Sequence, residues 1–361
     1  DALNQNDCFG NVIKIANILE IVCSRKNKEE KEISTTSPLF TGFPKHSAEK
    51  HIRKLLQNSF FIVIIDQYGD GKDIERKVTK VLTCTTYIDG NLNCEQSKSG
   101  ISCIYFGDAG IGVSYINTQV GTAKSYEIID DMSEITRFIE SENPSDILIY
   151  YHSNVEMCVH DSLIRGLEMN NSRQVFIKEV QSIYTKPHNQ EELLQYFYPD
   201  RGFLTSIEYL DLELKHNART SYVCLLQYLK ELDNDIVQNM QKPSVIEDTS
   251  IMKLYETALY QLNILKMHEK VTNHTKTLGG ARLLKHNMLS PITNTNDLQN
   301  RYNTIESLLH DNIYVELRKR LHGMIDFDRY FRKMCINKLN PYELAALSYN
   351  IEYINDIIQF C

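Results

Sequence analysis

The sequence predicts an α/β fold in the first part of the chain and an all-α fold in the last part. Up to about residue 215, short apolar or alternating segments typical of β-strands are interrupted by amphipathic segments typical of helices. From about Ala218 onward, apolar residues recur at steps of three and four, which is the helical period. With 361 residues, 42% of them hydrophobic, the chain is too long for a single core, so we expect two or three domains.

The first ninety residues predict two helices and two strands. Residues 11–22 carry apolar side chains that suit one helix face, or a helix that runs into a strand. Ser47 follows a chain-breaking Gly-Phe-Pro segment and is a candidate N-cap for a helix at 48–58. The apolar run at 60–65 predicts a buried strand, and the alternation at 77–82 predicts a half-buried strand.

The middle of the chain predicts a small, acidic α/β domain. Strand candidates lie at 101–106, 112–116 and 147–150, with a helix at 131–140 between the last two. The formal charge of the whole chain is -8, and residues 91–239 hold 22 acidic against 11 basic residues. The outer regions are near neutral and contain local basic clusters. Phosphate contact is therefore expected there, while the acidic middle suits solvent or a protein partner.

The last part of the chain predicts long helices with apolar stripes. One helix carries such a stripe at Tyr222, Leu225, Leu226 and Leu229. The final segment has a narrow seam, suited to a long helix that packs lengthwise on another, at Leu344, Leu347, Ile351, Ile354 and Ile358. Neither Gly nor Pro stops this helix before Cys361 and the chain does not begin with Met, so we expect a piece of a longer protein.

The cysteines indicate an intracellular, reducing compartment. There are nine of them, and they are scattered without a Cys-x-x-Cys pair, which favours free thiols over a disulfide framework or a zinc site. No apolar run reaches 18 residues, so no membrane association is expected. The eleven histidines form no His-Glu-x-x-His pattern, and we therefore predict no metal ligands among them.

Residues 275–301 predict a helical scaffold. Thr277 can cap a helix whose first turn contains two glycines, which would let another backbone approach, and Pro291 closes it. A second helix then carries one apolar stripe, at Leu298, Tyr302, Ile305 and Leu309. None of these residues performs chemistry, and packing alone accounts for them.

Several spaced motifs nevertheless resemble one family, the MutS mismatch-repair proteins. The family core region is matched in order by Thr277, Gly280, Arg282, Leu284, Pro291, Arg301, Asp326, Arg329, Pro341, Glu343 and Leu344. The end of the mismatch-recognition domain is matched around Gly42 and Pro44 and by the strands that follow. Departures are Asn287, where the family often has Trp, and Cys84-Thr85-Thr86, where it usually has Pro-Gly-Thr.

The resemblance implies a domain order and a function. Residues 1–90 would be an α/β mismatch-recognition domain, 91–215 a ribonuclease-H-like α/β connector, and 216–361 a helical core with a long lever helix. Double-stranded DNA with mismatches would be bound by a homodimer or heterodimer that closes as a clamp. A repair partner would meet the acidic connector. ATP and Mg²⁺ would be used by the full-length protein, which would be a DNA-dependent ATPase.

Two family motifs are absent from this sequence. The Phe-x-Glu motif, whose ring wedges beside a mismatch, is expected before residue 1, and Phe9 does not supply it because it is followed by Gly10-Asn11. There is also no Gly-x-x-x-x-Gly-Lys-Ser/Thr phosphate loop, since Gly69-Asp70-Gly71-Lys72 is too short and predicts a surface turn. We therefore expect no catalytic residue and no cofactor within these residues themselves, and we interpret both absences as truncation.

Two basic clusters are the candidate DNA-backbone contacts. Such contacts hold phosphates without reading sequence, which suits a protein that must meet an error anywhere. The alternative interpretation is a solvated charged surface. The candidate residues are Lys45, His46, Lys50, Arg53 and Lys54 at the Gly-Phe-Pro turn and the helix after it, and Arg76, Lys77 and Lys80 on the following strand.

Two other functions compete with mismatch recognition. One is a MutS-derived scaffold that acts on protein partners through the acidic middle domain. The other is a Mg²⁺-dependent nuclease, because Asp200, Glu213 and Lys215 match a loose Pro-Asp, Glu-x-Lys pattern in which carboxylates hold the metal. The alternation of Leu210, Leu212 and Leu214 would place that Glu-x-Lys pair on a strand.

Overall fold

A computed structural model describes residues 11–25, 37–58, 60–69, 74–83, 85–88, 100–108, 110–128, 132–154, 174–245 and 274–360, with single positions between 252 and 271. The chain divides into two units, Asp1–Tyr87 and Ile88–Cys361. Each unit has its own secondary structure and is described separately below. The division between 215 and 216 that the sequence suggests stays a prediction.

The first unit contains two helices and two small antiparallel sheets. Its elements are α1 (Val12–Leu19), β1 (Ser24–Arg25), β2 (Leu39–Phe40), α2 (Ala48–Gln57), β3 (Ile62–Tyr68) and β4 (Glu75–Leu82). Strand β1 pairs with β2, and β3 pairs with β4. Helix α2 buries Leu55 and Leu56 because these two residues lie on its apolar face.

The structure differs from two local expectations for this unit. Ser47 occupies the N-cap position of α2 as expected, but its side chain makes no cap, because its hydroxyl donates to the carbonyl of Pro44 at 2.9 Å across a 3-10 turn at 45–47. The strand expected to be buried at 60–65 is half exposed, with Ile65 57% exposed. Among the described residues β3 pairs only with β4, and most residues of this two-stranded ribbon are exposed.

The second unit is built on a six-stranded mixed sheet. Its strands are β5 (Gly100–Gly107), β6 (Gly110–Asn117), β7 (Thr122–Ile128), β8 (Asp146–Tyr151), β9 (Gln174–Glu179) and β10 (Ser244–Val245). The spatial order is β10-β7-β6-β5-β8-β9. Strands β5, β6 and β7 form an antiparallel meander, and β8 and β9 continue the sheet in parallel with β5.

Helices cover both faces of this sheet. They are α3 (Met132–Glu142), α4 (Ser182–Thr185), α5 (Pro187–Phe197), α6 (Ser206–Tyr209) and α7 (His216–Leu232). Alternate residues of β5 point to opposite faces. Ile101 and Cys103 pack in the cluster that contains the apolar residues of α7, while Ile104 and Phe106 pack with those of α3. Because β5 is covered on both faces, its residues are apolar apart from Ser102.

Strands β7 and β9 have no counterpart in the sequence-based prediction. Strand β7 carries polar residues because it meets the beginning of α7. The hydroxyls of Ser114 and Ser125 both donate to the carbonyl of Ala218 at 3.3 Å. The Glu127 carboxylate accepts the backbone N–H groups of Asn217 and Ala218 at 3.1 and 3.2 Å, which satisfies two otherwise unpaired donors at the helix N-terminus.

Helix α7 itself packs on the sheet. The apolar stripe of this helix favoured a place in the helical region. Its residues Tyr222, Leu225, Leu226 and Leu229 are fully buried, but they pack among residues of the sheet. Cys103 and Cys224 lie in the same cluster as free thiols. Burial raises the pKa of the Cys103 thiol to about 12, so this thiol is unreactive at neutral pH.

The close approach of α7 to β6 predicts a large effect at Gly112. A Cβ at this position would lie 2.0 Å from the Asn217 carbonyl oxygen. The next nearest atoms, the Asn217 carbonyl carbon and the Ala218 nitrogen, also belong to the backbone. We expect Gly112→Ala to lower the free energy of unfolding by about 3 kcal/mol, measured by urea denaturation. The control is Gly279→Ala, since the nearest atom to its Cβ would be 3.8 Å away. Equal stability of the two variants would contradict the packing described here.

The rest of the second unit is helical. Its helices are α8 (Leu278–Leu289), α9 (Thr295–Leu309), α10 (Ile313–Arg320), α11 (Phe327–Cys335) and α12 (Pro341–Phe360). Thr277 caps α8 as expected, because its hydroxyl accepts the N–H of Gly280 at 3.1 Å. The adjacent glycines do not admit another backbone: the nearest groups to their Cβ positions are the side chains of Arg282 and Thr277.

The expected seam of α12 is largely exposed. Leu347 is buried, but Leu344, Ile351 and Ile358 are exposed, so within the described residues no second helix packs along this stripe. The buried face instead contains Glu343, Leu347, Asn350 and Ile357. The stripe of α9 is likewise exposed at Tyr302, Ile305 and Leu309. Within the described ranges, none of the helices combines the length and the apolar character needed to cross a membrane.

Candidate nucleic-acid interface

The Gly-Phe-Pro turn of the first unit is fixed against α2. The Phe43 ring stacks on His51 of α2, with ring centroids 4.4 Å apart. Thr41, just before the turn, donates its hydroxyl to the carbonyl of Val22 at 3.0 Å. Gly42 has no neighbouring atom within 4 Å of its Cβ position, and Pro44 precedes the 3-10 turn. The turn therefore holds the residues that follow it in a defined position at the start of α2.

The structure divides the first basic cluster into two groups. Lys54 forms an ion pair with Glu20 at 2.8 Å, and its hydrogen bond and charge lower the pKa of that carboxyl. Arg53 is half-buried and has interactions of its own. In contrast, Lys45, His46 and Lys50 are exposed and form no ion pair with a carboxylate of the described residues, although the charge of Lys50 contributes to the lowered pKa of Glu20. Within this cluster, Lys45 and Lys50 are therefore the lysines that can meet an anion without first breaking an ion pair.

The second basic cluster does not form one patch. Arg76 and Lys77 are adjacent on β4, so their side chains point to opposite faces of the ribbon. Lys77 is already paired with Glu75 at 2.9 Å. Lys80 lies beyond a bulge, where Thr79 is the extra residue of β4. All three cations are exposed, but they offer separate contacts rather than a continuous surface.

The family-motif residues of the helical region form an internal ion cluster. Arg282 of α8 donates two hydrogen bonds of 2.7 Å to the Asp326 carboxylate and one of 2.5 Å to Asp328. Burial by itself lowers the pKa of the Arg282 guanidinium, but the two carboxylates outweigh it and raise that pKa. Arg329 places its Nε 3.3 Å from Asp326. This cluster joins α8 to the start of α11 and is structural.

The other motif residues also have structural positions. The Pro291 carbonyl accepts the N–H of Met252 at 2.7 Å. Gly280 lies so close to its cap that a Cβ there would be 2.9 Å from the Thr277 hydroxyl. Arg301 is exposed on α9. None of these residues adds to the basic surface of the first unit, which belongs to a separate part of the chain.

The sequence analysis missed a group of buried charges on α11. Arg329, Arg332 and Lys333 are buried, while Phe331 and Met334 on the same helix are exposed. This is the reverse of an ordinary amphipathic helix. The spacing i, i+3, i+4 places the three cations on one face, and that spacing is visible in the sequence. Spacing alone does not predict their burial, because charged residues are seldom buried without partners.

The nuclease arrangement is not supported by the geometry. Asp200 and Glu213 are exposed, and residues 210–215 form turns and bends rather than a strand. Leu210 and Leu212 are fully buried, whereas Leu214 is 88% exposed, so the expected alternation does not exist. In the part of the chain that the structure describes, no three acidic, histidine or cysteine side chains converge to hold a metal ion. Asp108, just after the end of β5, lies 3.4 Å from His152.

Comparison with known proteins gives one family. A family model described as MutS domain I matches residues 8–91, and one described as MutS domain III matches residues 257–360. Together the two matches cover slightly more than half of the chain. They contain, respectively, the basic turn with α2 and the ion cluster of α8 and α11. The sequence motifs that resemble MutS proteins therefore lie within the regions that the two family models match.

Curated relatives point to the same family at low identity. A DNA mismatch repair protein mutS homologue of Acanthamoeba polyphaga mimivirus is 23% identical over 411 aligned residues, covering 97% of this chain and 36% of the relative. DNA mismatch repair protein MutS of Solibacter usitatus is 23% identical over 365 residues, covering 96% of this chain and 40% of the relative. The chain thus spans about two fifths of the length of these relatives.

One solved structure overlaps the chain weakly. The crystal structure of the fowlpox virus Holliday junction resolvase covers 37% of this chain and 99% of its own, with 14% identity and a TM-score of 0.27. A score this low supports no conclusion about fold or function. The two domain matches and the curated relatives carry the assignment, and on that basis the chain belongs to the MutS family.

Proposed function

We propose that this chain is the recognition, connector and lever portion of a protein that binds mismatched double-stranded DNA in mismatch repair. The observation that carries the proposal is the group of exposed basic residues Lys45, His46 and Lys50, which form no ion pair within the described part of the chain. They follow a turn fixed by ring stacking and lie in the region that MutS domain I matches. Cations that are exposed and unpaired gain the most from phosphate contact, because no ion pair has to be broken first.

The strand order of the second unit supports a connector with a ribonuclease-H-like fold. If its first five strands are numbered along the chain, their order across the sheet is 3-2-1-4-5, with the first three antiparallel and the last two parallel to the first. We assign residues 1–90 to recognition, 91–215 with α7 to this connector, and the remaining helices to the core and lever. The acidic surface of residues 91–239 suits a basic partner protein.

The longer protein would use ATP and Mg²⁺ and act as a dimer. The sequence of this chain contains no phosphate loop, so nucleotide chemistry is assigned to another part of the protein. The described residues supply no metal cluster to which Mg²⁺ could be assigned. What this chain contributes is phosphate contact through the first unit and mechanical transmission through the helices of the second.

The DNA contact is tested by neutralising unpaired and paired lysines in parallel. We expect Lys45→Gln with Lys50→Gln to reduce the slope of log affinity against log salt by about 2, because two phosphate contacts are lost. The control is Lys54→Gln with Lys77→Gln, which removes the same charge from residues already paired to Glu20 and Glu75. Fluorescence anisotropy with a short duplex measures both. Equal loss in the two variants would contradict the assignment.

Mismatch recognition is tested separately on the full-length protein. We expect tighter binding to a duplex with one mismatch than to the matched duplex, with both affinities weakening as salt rises. Equal affinity for the two duplexes would overturn the recognition function. If the protein has little DNA affinity but the isolated α/β part retains a protein partner that is lost on charge reversal, the scaffold function is the correct one.

A further inference from the structure

Helix α11 places its cations inside and its apolar residues outside. A guanidinium or ammonium group is costly to bury unless its N–H groups are satisfied. Each buried cation of α11 has a different partner: Arg329 meets Asp326, Lys333 meets Glu343 of α12, and Arg332 reaches into the α/β part of the unit. The Arg329 contact is local, since Asp326 is the N-cap of α11, whereas Lys333 and Arg332 join this short helix to two other parts of the second unit.

Within the described residues, every hydrogen-bond acceptor of Arg332 is a backbone carbonyl. Its Nε donates to Thr118 at 3.3 Å, and its Nη1 donates to Gln238 and Asn239 at 2.9 and 3.3 Å. Its Nη2 donates to Ile236. The residue is only 2% exposed, and burial lowers the pKa of its guanidinium. Four carbonyls from two loops therefore form a receptor shaped for the fork of an arginine.

The two loops of this receptor belong to the α/β part. Thr118 lies in the turn between β6 and β7, and residues 236–239 follow α7. Gly121, in the same turn as Thr118, has a φ of +79°, and a Cβ there would lie 2.7 Å from Cδ of Arg332. The turn therefore contacts the aliphatic part of the Arg332 side chain as well as its guanidinium group. Asn239 also donates its side-chain amide to the Cys335 carbonyl, at the end of α11, at 2.8 Å.

The other side of α11 is tied to the long helix α12. Lys333 and Glu343 form a buried ion pair of 2.5 Å. The N–H of Ile325, just before α11, donates to the side chain of Asn350 on α12 at 3.3 Å. A displacement of α12 relative to the sheet would therefore have to break either these bonds or the carbonyl receptor of Arg332.

We propose that Arg332 is a positioning residue that locks the long helix α12 to the α/β sheet, with α11 as the joint between them. The lock needs the planar fork of arginine, because one ammonium group cannot reach carbonyls from two loops at once. Under the function proposed above, the lock makes a movement of the lever reach the connector. That consequence rests on the proposed function, whereas the lock itself does not.

The test measures the distance between the sheet part and α12. Gln195 on α5 and Tyr349 on α12 are exposed, and each is replaced by an amino acid that carries a ketone. The spin labels are attached to these ketones, so that the native cysteines stay unmodified. Pulsed electron spin resonance should give one narrow distance distribution for the parent chain. We expect Arg332→Lys and, independently, Gly121→Ala to broaden it about twofold or more.

A matched control removes a nearby charge that is not part of the receptor. Lys338 also bridges the two parts, with its ammonium 3.8 Å from Asp233, but this pair is partly exposed. We expect Lys338→Gln to keep the parental distance distribution. If Arg332→Lys and Gly121→Ala lower the melting temperature but keep the narrow distribution, Arg332 contributes only stability and the proposal is wrong.

A measurement on the unmodified chain covers the case in which the variants do not fold. A lock predicts that the amides of α11 and those of residues 236–241 become exchangeable through the same opening, with protection factors within about tenfold of each other. Exchange of α11 that is about a hundredfold faster than that of residues 236–241 would overturn the proposal. Neither measurement uses DNA, so failure of the lock and failure of DNA recognition are distinguishable.

Discussion

Replacing Asp326 with Asn is expected to destabilise the second unit by about 3 kcal/mol. The Asp326 carboxylate is 5% exposed and accepts two hydrogen bonds from Arg282, with Arg329 close by. The amide of Asn keeps the shape but removes the negative charge, so a partly buried guanidinium loses its bidentate partner. Urea denaturation followed by circular dichroism measures the loss in free energy of unfolding.

The neighbouring carboxylate provides the control for that substitution. Asp328 binds the same guanidinium at 2.5 Å, but its side chain is 55% exposed. We expect Asp328→Asn to cost less than about 1 kcal/mol, because water replaces the lost interaction. A cost equal to that of Asp326→Asn would mean that burial does not determine the strength of this cluster.

Breaking the Lys333–Glu343 pair is expected to have a similarly large effect. Both side chains are buried, so Lys333→Met or Glu343→Gln alone leaves one charge without its partner, at a cost of about 3 to 5 kcal/mol. Glu343 has a second role at the start of α12, because its carboxylate accepts the Asn340 N–H at 3.1 Å while Asn340 accepts the Glu343 N–H at 2.8 Å.

A double substitution separates the charge effect from the helix cap. We expect Lys333→Met with Glu343→Gln to be less destabilised than the sum of the single variants by at least about 2 kcal/mol, because no unpaired charge remains. Lys319→Met is the control, since its pair with Glu316 is exposed and should be worth less than about 1 kcal/mol. Strict additivity of the two buried substitutions would show that the ion pair has no coupling energy.

The sequence predicted the strands and helices whose apolar pattern follows directly from the way they pack. Strand β5 is apolar apart from Ser102 because both of its faces are covered, and the stripe of α7 matches its packing on the sheet. Strand β7 escaped prediction because Ser125 and Glu127 make it polar, and the reason for that polarity is the N-terminus of α7, which is 90 residues further along the chain.

The candidate site was predictable in type but not in detail. The sequence identified the basic residues of the first unit, yet Lys45 and Lys54 look alike until Glu20 is found 2.8 Å from Lys54. On β4, the cluster of three cations was divided by strand geometry and by the ion pair of Lys77 with Glu75. Their roles in DNA contact stay predictions, to be decided by the paired lysine variants.

By itself, the sequence determined the family and many of the strands and helices, since these follow from local motifs and apolar periodicity. Only the tertiary structure decided which charges are available and which are structural. The solvated Lys45 and the buried, paired Lys333 are the same letter in the sequence. The hydrogen-bond acceptors of Arg332 are carbonyls of residues more than ninety positions away in the sequence. Because every residue has a backbone carbonyl, the sequence does not show which of them accept these bonds.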